Sequence, residues 1–207
     1  MLGLYREYVL PHLVDRVLSG SGWDRWRQRT VDGLAGTVVE IGFGSGLNVP
    51  HYPEAVSLVY AVEPAERARR LAAERIADSH ALVRHVGLDG ARLPLADDSC
   101  DAALSTFTLC TIPDVESALV ELRRVLRPGG VFHFLEHGLA PDPTMARVQR
   151  VLEPAQRLLA DGCHLTRDAA SLVEKAGFEL KDVEARYVGG KAPWNYLTVG
   201  VAASTAA

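Results

Sequence analysis

The run Val39-Glu40-Ile41-Gly42-Phe43-Gly44-Ser45-Gly46 decides the reading of this chain. It closes an apolar stretch, Thr37-Val38-Val39-Glu40-Ile41, whose β-branched residues predict a buried strand. The glycines that follow let the backbone turn sharply and let a ligand come close to it. About twenty residues on, a second predicted strand, Leu58-Val59-Tyr60-Ala61-Val62-Glu63, ends in an acid, where a carboxylate can accept hydrogen bonds from a ribose diol. Strand, glycine loop, strand and acid together say far more than a glycine pattern alone.

Working outward, short apolar strands alternate with helical stretches. A helix over Ala65 to Ala77 leads to a strand at Ala81 to Val86, and a fourth strand spans Cys100 to Ser105. Val115 to Leu126 reads as a helix stopped by Pro128-Gly129-Gly130, and Val131 to Glu136 as a fifth strand. This alternation predicts βαβ units and a parallel sheet. The tail differs. Ala146 to Leu159, with Pro154 near a break, and Arg167 to Ala176 read as helices. Phe178 to Val188 and Trp194 to Ala202 then read as a hairpin joined by Gly189-Gly190-Lys191, hence antiparallel. Ahead of the first strand, Leu4 to Leu18 forms an amphipathic helix with Pro11 placed to kink or split it, and a short helix carries Trp23, Trp26 and Val31.

Composition sets outer limits. The chain has 207 residues, 48% hydrophobic and 23% charged, which suits one globular domain rather than a disordered chain. Its net charge of −4, from 22 basic and 26 acidic side chains, offers no electrostatic basis for a nucleic-acid partner. Three cysteines, Cys100, Cys110 and Cys163, lack CxxC spacing, so neither a disulfide framework nor a metal site is expected, and a cytoplasmic setting fits best. No signal-peptide core and no charge-free apolar run of about 20 residues is present, so no stable membrane insertion is expected.

The loop spacing discriminates between ligands. Dinucleotide sites favour G-x-G-x-x-G, with a helix N-terminus facing a pyrophosphate. Here the spacing is G-x-G-x-G, with Glu40 two residues ahead. A carboxylate is a poor neighbour for pyrophosphate and a good one for a cation. S-adenosylmethionine (SAM) carries both a sulfonium and an ammonium.

Together with Asp89, Leu93-Pro94-Leu95, Cys100-Asp101 and Leu122-Arg123-Arg124-Val125-Leu126-Arg127-Pro128-Gly129-Gly130, these residues resemble the class I methyltransferases of the broad type 11 group. The resemblance implies a Rossmann-like, seven-stranded α/β sheet, mostly parallel with a C-terminal antiparallel hairpin and helices on both faces. It implies a single methyltransferase domain over residues 1–207, with 1–33 as a helical lid. SAM would be the cofactor and S-adenosylhomocysteine the product, with no metal. The glycine loop (Glu40, Gly42, Phe43, Gly44, Gly46), with Asn48 just beyond it, would hold the methionine moiety. Glu63 with Pro64 would take the ribose, and Asp89, with Gly90 and Ala91, the adenine. Ser105, Thr106 and Phe107 would floor the pocket.

A narrower similarity covers Gly46-Leu47-Asn48-Val49-Pro50-His51-Tyr52-Pro53, Phe134-Leu135-Glu136-His137, Leu152-Glu153-Pro154 and Asp161-Gly162-Cys163-His164-Leu165-Thr166-Arg167. These stretches resemble the methyltransferase-like thiol S-methyltransferases of eukaryotes, and imply a small-molecule acceptor, with a thiol foremost. Quinone C-methyltransferases and lipid or amine methyltransferases are the alternatives within the fold, and a non-catalytic SAM-binding protein is the alternative outside enzymes. By the rule that open α/β sheets bind ligands at the carboxyl ends of their strands, His137 is the candidate base or substrate contact. Tyr52, Glu136 and Cys163 are further candidate substrate contacts. Asp161 and Arg167 are expected to cap the following helix or to pair with each other.

Overall fold

The computed structural model describes residues 2–87 and 89–204. Met1 and the end of the Ala-rich tail lie outside the described residues. Seven strands form one sheet in the order β3-β2-β1-β4-β5-β7-β6. They are β1 (Gly36–Ile41), β2 (Val56–Val62), β3 (Leu82–Gly87), β4 (Cys100–Thr106), β5 (Leu126–His137), β6 (Phe178–Tyr187) and β7 (Tyr196–Ser204). Strands β1 to β5 pair in parallel, while β7 runs antiparallel to both β5 and β6. The expected parallel sheet with a C-terminal antiparallel hairpin is therefore present.

Alternation along the strands divides the core between two faces. Val39, Ile41 and Ala103 point into one apolar layer, covered by α5 (Val115–Val125) through Leu119, Leu122 and Val125 and by α7 (Ala169–Lys175) through Val173. Their neighbours Val38, Ala102 and Leu104 point into the other, covered by Val31 of α3 (Ser21–Val31) and Ala72 of α4 (Glu66–Ala77). Because β1 sits between β2 and β4 while the chain winds outward in both directions, a crevice opens above the carboxyl ends of β1 and β4, where such sheets bind ligands.

Several local expectations change. Helix α5 ends at Val125 and β5 begins at once, so Arg127-Pro128-Gly129-Gly130 is a bulge within β5 rather than a helix stop. Cys100 pairs with Leu126 and Ala102 with Val131. Pro128 cannot donate to a ladder, and Gly129 takes a φ of +80°, so the strand loops out between those two pairs. The hairpin loop is wider than its glycines suggest: Tyr187 pairs with Tyr196 across residues 188–195. Helix α6 (Pro143–Leu159) runs straight through Pro154.

The N-terminal helix is split just before Pro11, where its hydrogen-bond register changes. A turn, α1 (Leu2–Leu4), leads into a π-helical stretch, Tyr5–Val9, and then into α2 (Leu10–Leu18). The Leu10 N–H bonds to the carbonyl of Tyr5, five residues back. This wider turn places Pro11 in the first turn of α2, where a missing N–H costs nothing.

Candidate active site

A cavity of about 450 Å³ fills the crevice, within the range of roughly 300–1,000 Å³ typical of small-molecule sites. The loop after β1 forms its floor. Gly42 has a φ of +67°, and a Cβ there would run into the Thr108 side chain, so the close approach of the two loops requires glycine. The Gly44 N–H donates to Glu63 Oε2 and the Ala65 N–H to Glu63 Oε1, each at 2.8 Å. These bonds fix the carboxylate and leave it further acceptor positions. Burial raises the Glu63 pKa, against the pull of the two backbone donors. At the far end of the cavity Asp89 Oδ1 accepts from the Ala91 N–H at 2.9 Å, an Asx turn that holds the side chain in place.

Beneath the loop lies a buried polar network. Asn48 Nδ2 donates to Glu40 Oε1 at 2.8 Å and to Thr106 Oγ1 at 3.0 Å, and the Tyr52 hydroxyl donates to Glu40 Oε2. Arg27 of α3 donates to Asn48 Oδ1 at 2.8 Å and to Thr106 Oγ1 at 3.2 Å. Burial pushes the Glu40 carboxyl up to about 7 and the Arg27 guanidinium down to about 10. Arg27 also lines the cavity, which sets a cation on its wall. Phe107 adopts a φ of +53°, rare for an aromatic residue, and is held by the Leu135 carbonyl at 2.8 Å and by an edge-on Trp23 ring.

Of the residues singled out from sequence, Gly42, Phe43, Gly44, Asn48, Glu63, Pro64, Asp89, Gly90, Thr106 and Phe107 line the cavity. Gly46 takes a φ of +75° against Ala72 and Val49 and shapes the loop from behind. Ala91 contributes through its N–H to Asp89. Glu40 and Tyr52 are buried and bonded to each other beneath the loop, where they brace it. Glu136 is buried and braces the loop after β4. Its Oε1 accepts from Ser105 Oγ and from the N–H groups of Thr108 and Leu109 at 2.9–3.0 Å. His137 and Cys163 are not at the cavity wall; His137 Nε2 faces Cys163 Sγ at 3.1 Å. Asp161 lines the cavity and pairs with Arg6, while Arg167 donates to the Leu109 and Ile112 carbonyls, so the two do not pair with each other. The cap of α7 is Asp168.

Sequence reasoning missed Arg27, because a lone arginine in a polar helix carries no periodic signal. It also missed Val14 and Leu18 of α2 as parts of the cavity wall. Asp15 Oδ1 ties that helix down by accepting from Ser45 Oγ at 2.6 Å and from Arg75 at 2.9 Å. Among the described residues, no helix is long and apolar enough to cross a membrane.

Known proteins share sequence and fold with this chain. The Methyltransferase domain family matches residues 39–134. Thiol S-methyltransferase TMT1B of Rattus norvegicus is 34% identical over 168 residues, which cover 79% of this chain and 67% of that protein. Thiol S-methyltransferase TMT1A of Homo sapiens is 37% identical over 156 residues, covering 72% of this chain and 64% of that one. Demethylmenaquinone methyltransferase of Thermobifida fusca is 30% identical over 205 residues, covering 92% and 86%. The chain thus spans about two thirds of the length of the thiol-methylating relatives. Among solved structures, a SAM-dependent methyltransferase of Thermotoga maritima superposes with a TM-score of 0.70 at 22% identity, covering 99% of this chain and 100% of that one. One of Mesorhizobium loti does so with a TM-score of 0.66 at 19% identity, covering 90% and 99%. The sheet order, the glycine loop with its acid, and these relatives converge: this chain belongs to the SAM-dependent methyltransferases.

Proposed function

We propose that the enzyme transfers the SAM methyl group to the sulfur of a small thiol. The observation that carries this reading is the run Asp161 to Arg167. It resembles the thiol S-methyltransferases and packs against the cavity wall: Asp161 lines the cavity, and the His164 N–H donates to the Cys110 carbonyl at 2.8 Å. The cavity's polar groups suit SAM. Glu63 offers acceptors for the ribose diol, Asp89 has an oxygen left for the adenine amino group, and Arg27 faces the end where the methionine carboxylate would lie. Buried Glu40 beneath the loop suits the adjacent ammonium and sulfonium.

SAM supplies an electrophilic methyl group on a positively charged sulfur. In the in-line displacement the acceptor sulfur forms the new S–CH₃ bond, and the electron pair of the broken bond stays on the departing sulfur as a neutral thioether. The thiol would give up its proton to bulk water before entering the cavity and would react as the thiolate. A free thiol with a pKa near 8.5 is already a few per cent ionised at neutral pH, so positioning matters more than a strong base. The chain's own task is to hold both partners and keep water out, with Val14 and Leu18 of α2 closing the cavity from above.

Two measurements follow. Across panels of alkyl thiols, quinols and amines, kcat/KM is expected to be highest for thiols; a quinol or amine preference would overturn the acceptor assignment. The lid reading predicts that Asp15→Ala, which frees α2 from Ser45 and Arg75, weakens SAM binding about five- to tenfold, equivalent to ~1 kcal/mol. Calorimetric titration reads that change, and an unaltered Kd would remove the lid from the account.

A further inference from the structure

The cluster formed by Cys110, His137 and Cys163 has no part in the methyl-transfer geometry above. The three come from separate segments: the loop after β4, the last residue of β5, and the turn between α6 and α7. Their ligating atoms all lie within 4.8 Å of one another. Cys163 Sγ is 3.7 Å from Cys110 Sγ and 3.1 Å from His137 Nε2. Both cysteines are buried free thiols.

The two shorter separations come close to the edges of a metal coordination shell, and the third, between Cys110 and His137, lies within 4.8 Å. Zinc binds thiolate sulfur at about 2.3 Å and imidazole nitrogen at about 2.0–2.1 Å, so a tetrahedron puts two sulfurs about 3.8 Å apart and sulfur and nitrogen about 3.5 Å apart. The sulfur pair already has this spacing, and the imidazole need retreat only a few tenths of an ångström. We propose that Cys110, His137 and Cys163 are three ligands of a zinc-class ion, with one coordination position left open.

The surroundings are built to hold such a shell. Gln156 Nε2 donates to Cys163 Sγ at 3.5 Å, an N–H···S contact of the kind that supports a metal-bound thiolate. Arg167 holds the carbonyls of Leu109 and Ile112 at 2.5 and 2.7 Å, on either side of Cys110, and the His164 N–H holds the carbonyl of Cys110 itself. The Leu139 N–H bonds to the Arg167 carbonyl at 3.1 Å and fixes the chain just beyond His137. The backbone beside each ligand is thus secured by other contacts, while His137 Nδ1 is buried without a partner among the described residues. The donor set is soft, two sulfurs and an imidazole, and selects zinc over magnesium or calcium. Binding exchanges two thiol protons, released to solvent, for a dication, leaving a neutral centre of one Zn²⁺, two thiolates and a neutral imidazole.

The test begins with the unmodified full chain, purified under reducing conditions. Elemental analysis is expected to find one zinc per chain after gel filtration. Exchange with Co²⁺ is expected to give ligand-field bands of tetrahedral intensity and a thiolate-to-cobalt charge-transfer band, both lost on adding zinc. Cys110→Ser and Cys163→Ser should each reduce that charge-transfer band by about half, and His137→Gln should shift the ligand-field bands. Absence of both stoichiometric zinc and the charge-transfer band in the unmodified chain would overturn the proposal. So would a band that survives in the double cysteine variant, or recovery of Cys110 and Cys163 as a disulfide in reduced, zinc-supplemented protein. Because the first readings come from the native chain, a variant that fails to fold does not shield the proposal.

Discussion

Replacing Glu63 with alanine is expected to weaken SAM binding by about a hundredfold. The side chain sits at the end of β2, with one oxygen on the Gly44 N–H and the other on the Ala65 N–H. Its remaining acceptor positions face the cavity, where the ribose diol would donate. Each hydrogen bond to a charged group contributes about 1.5–3 kcal/mol, so losing the diol contacts and loosening the Gly44 turn costs ~3 kcal/mol, roughly two powers of ten in Kd. Glu63→Gln keeps one acceptor oxygen and is expected to lose about tenfold. Folding stability should change far less. The carboxylate is buried in the free protein, its pKa raised by that burial, so removing it also removes a desolvation cost. Isothermal titration with SAM separates the outcomes: equal Kd for wild type and Glu63→Ala would place the cofactor elsewhere.

The second large effect concerns the network beneath the glycine loop, and it depends on pH. Glu40 titrates at about 7 in the folded chain because burial disfavours its charge, against about 4.3 when unfolded. The folded state therefore binds more protons between those values. Its contribution to stability is full below about pH 4 and is lost progressively as pH rises through 7, by about 3–4 kcal/mol, with no further change above. Arg27 opposes that loss, since its cation favours the Glu40 carboxylate. Arg27→Met should push the Glu40 carboxyl further up and so destabilise the fold more at pH 8 than at pH 5.5, with Asn48 and Tyr52 still donating to the carboxylate. At pH 5.5 the cost should be smaller, because Glu40 is protonated there and the loss is confined to the bonds to Asn48, Thr106 and the Leu18 carbonyl and the contact over the Phe107 ring. Glu40→Gln should flatten the difference between the two pH values. Denaturant unfolding of the three proteins at both pH values checks the sign. A cost for Arg27→Met that is equal at pH 5.5 and 8 would contradict the coupling.

The sheet and the cofactor loop were legible because both rest on local rules. Alternating apolar strands and helices, and a glycine loop followed by an acid, are written in consecutive residues. Boundaries failed where one residue answered to a neighbouring strand. Leu126 reads as the end of a helix, yet pairs with Cys100. Glu40, Tyr52 and Glu136 stand out from sequence as candidate contacts, but that they face inward could not be read there. Burial and partner choice arise only when Asn48, Thr106 and Thr108 arrive from distant segments. The same limit explains Arg27, Asp15 and the Cys110, His137 and Cys163 grouping. None has a spacing signature, since each is assembled by the order of the strands. Ser45 shows the intermediate case: the loop motif gives its position, while its bond to Asp15 depends on how α2 folds back over the cavity.

Delivery of a SAM methyl group to sulfur is the reaction proposed for this pocket. Incubating the enzyme with SAM carrying an isotopically labelled methyl group and an alkyl thiol, then identifying the product by mass spectrometry, tests it directly. The predicted result is a thioether bearing the label, formed together with S-adenosylhomocysteine, and lost in step with SAM affinity in Glu63→Ala. SAM binding with no labelled thioether from any thiol, or label on a quinol or amine in preference to sulfur, would contradict it.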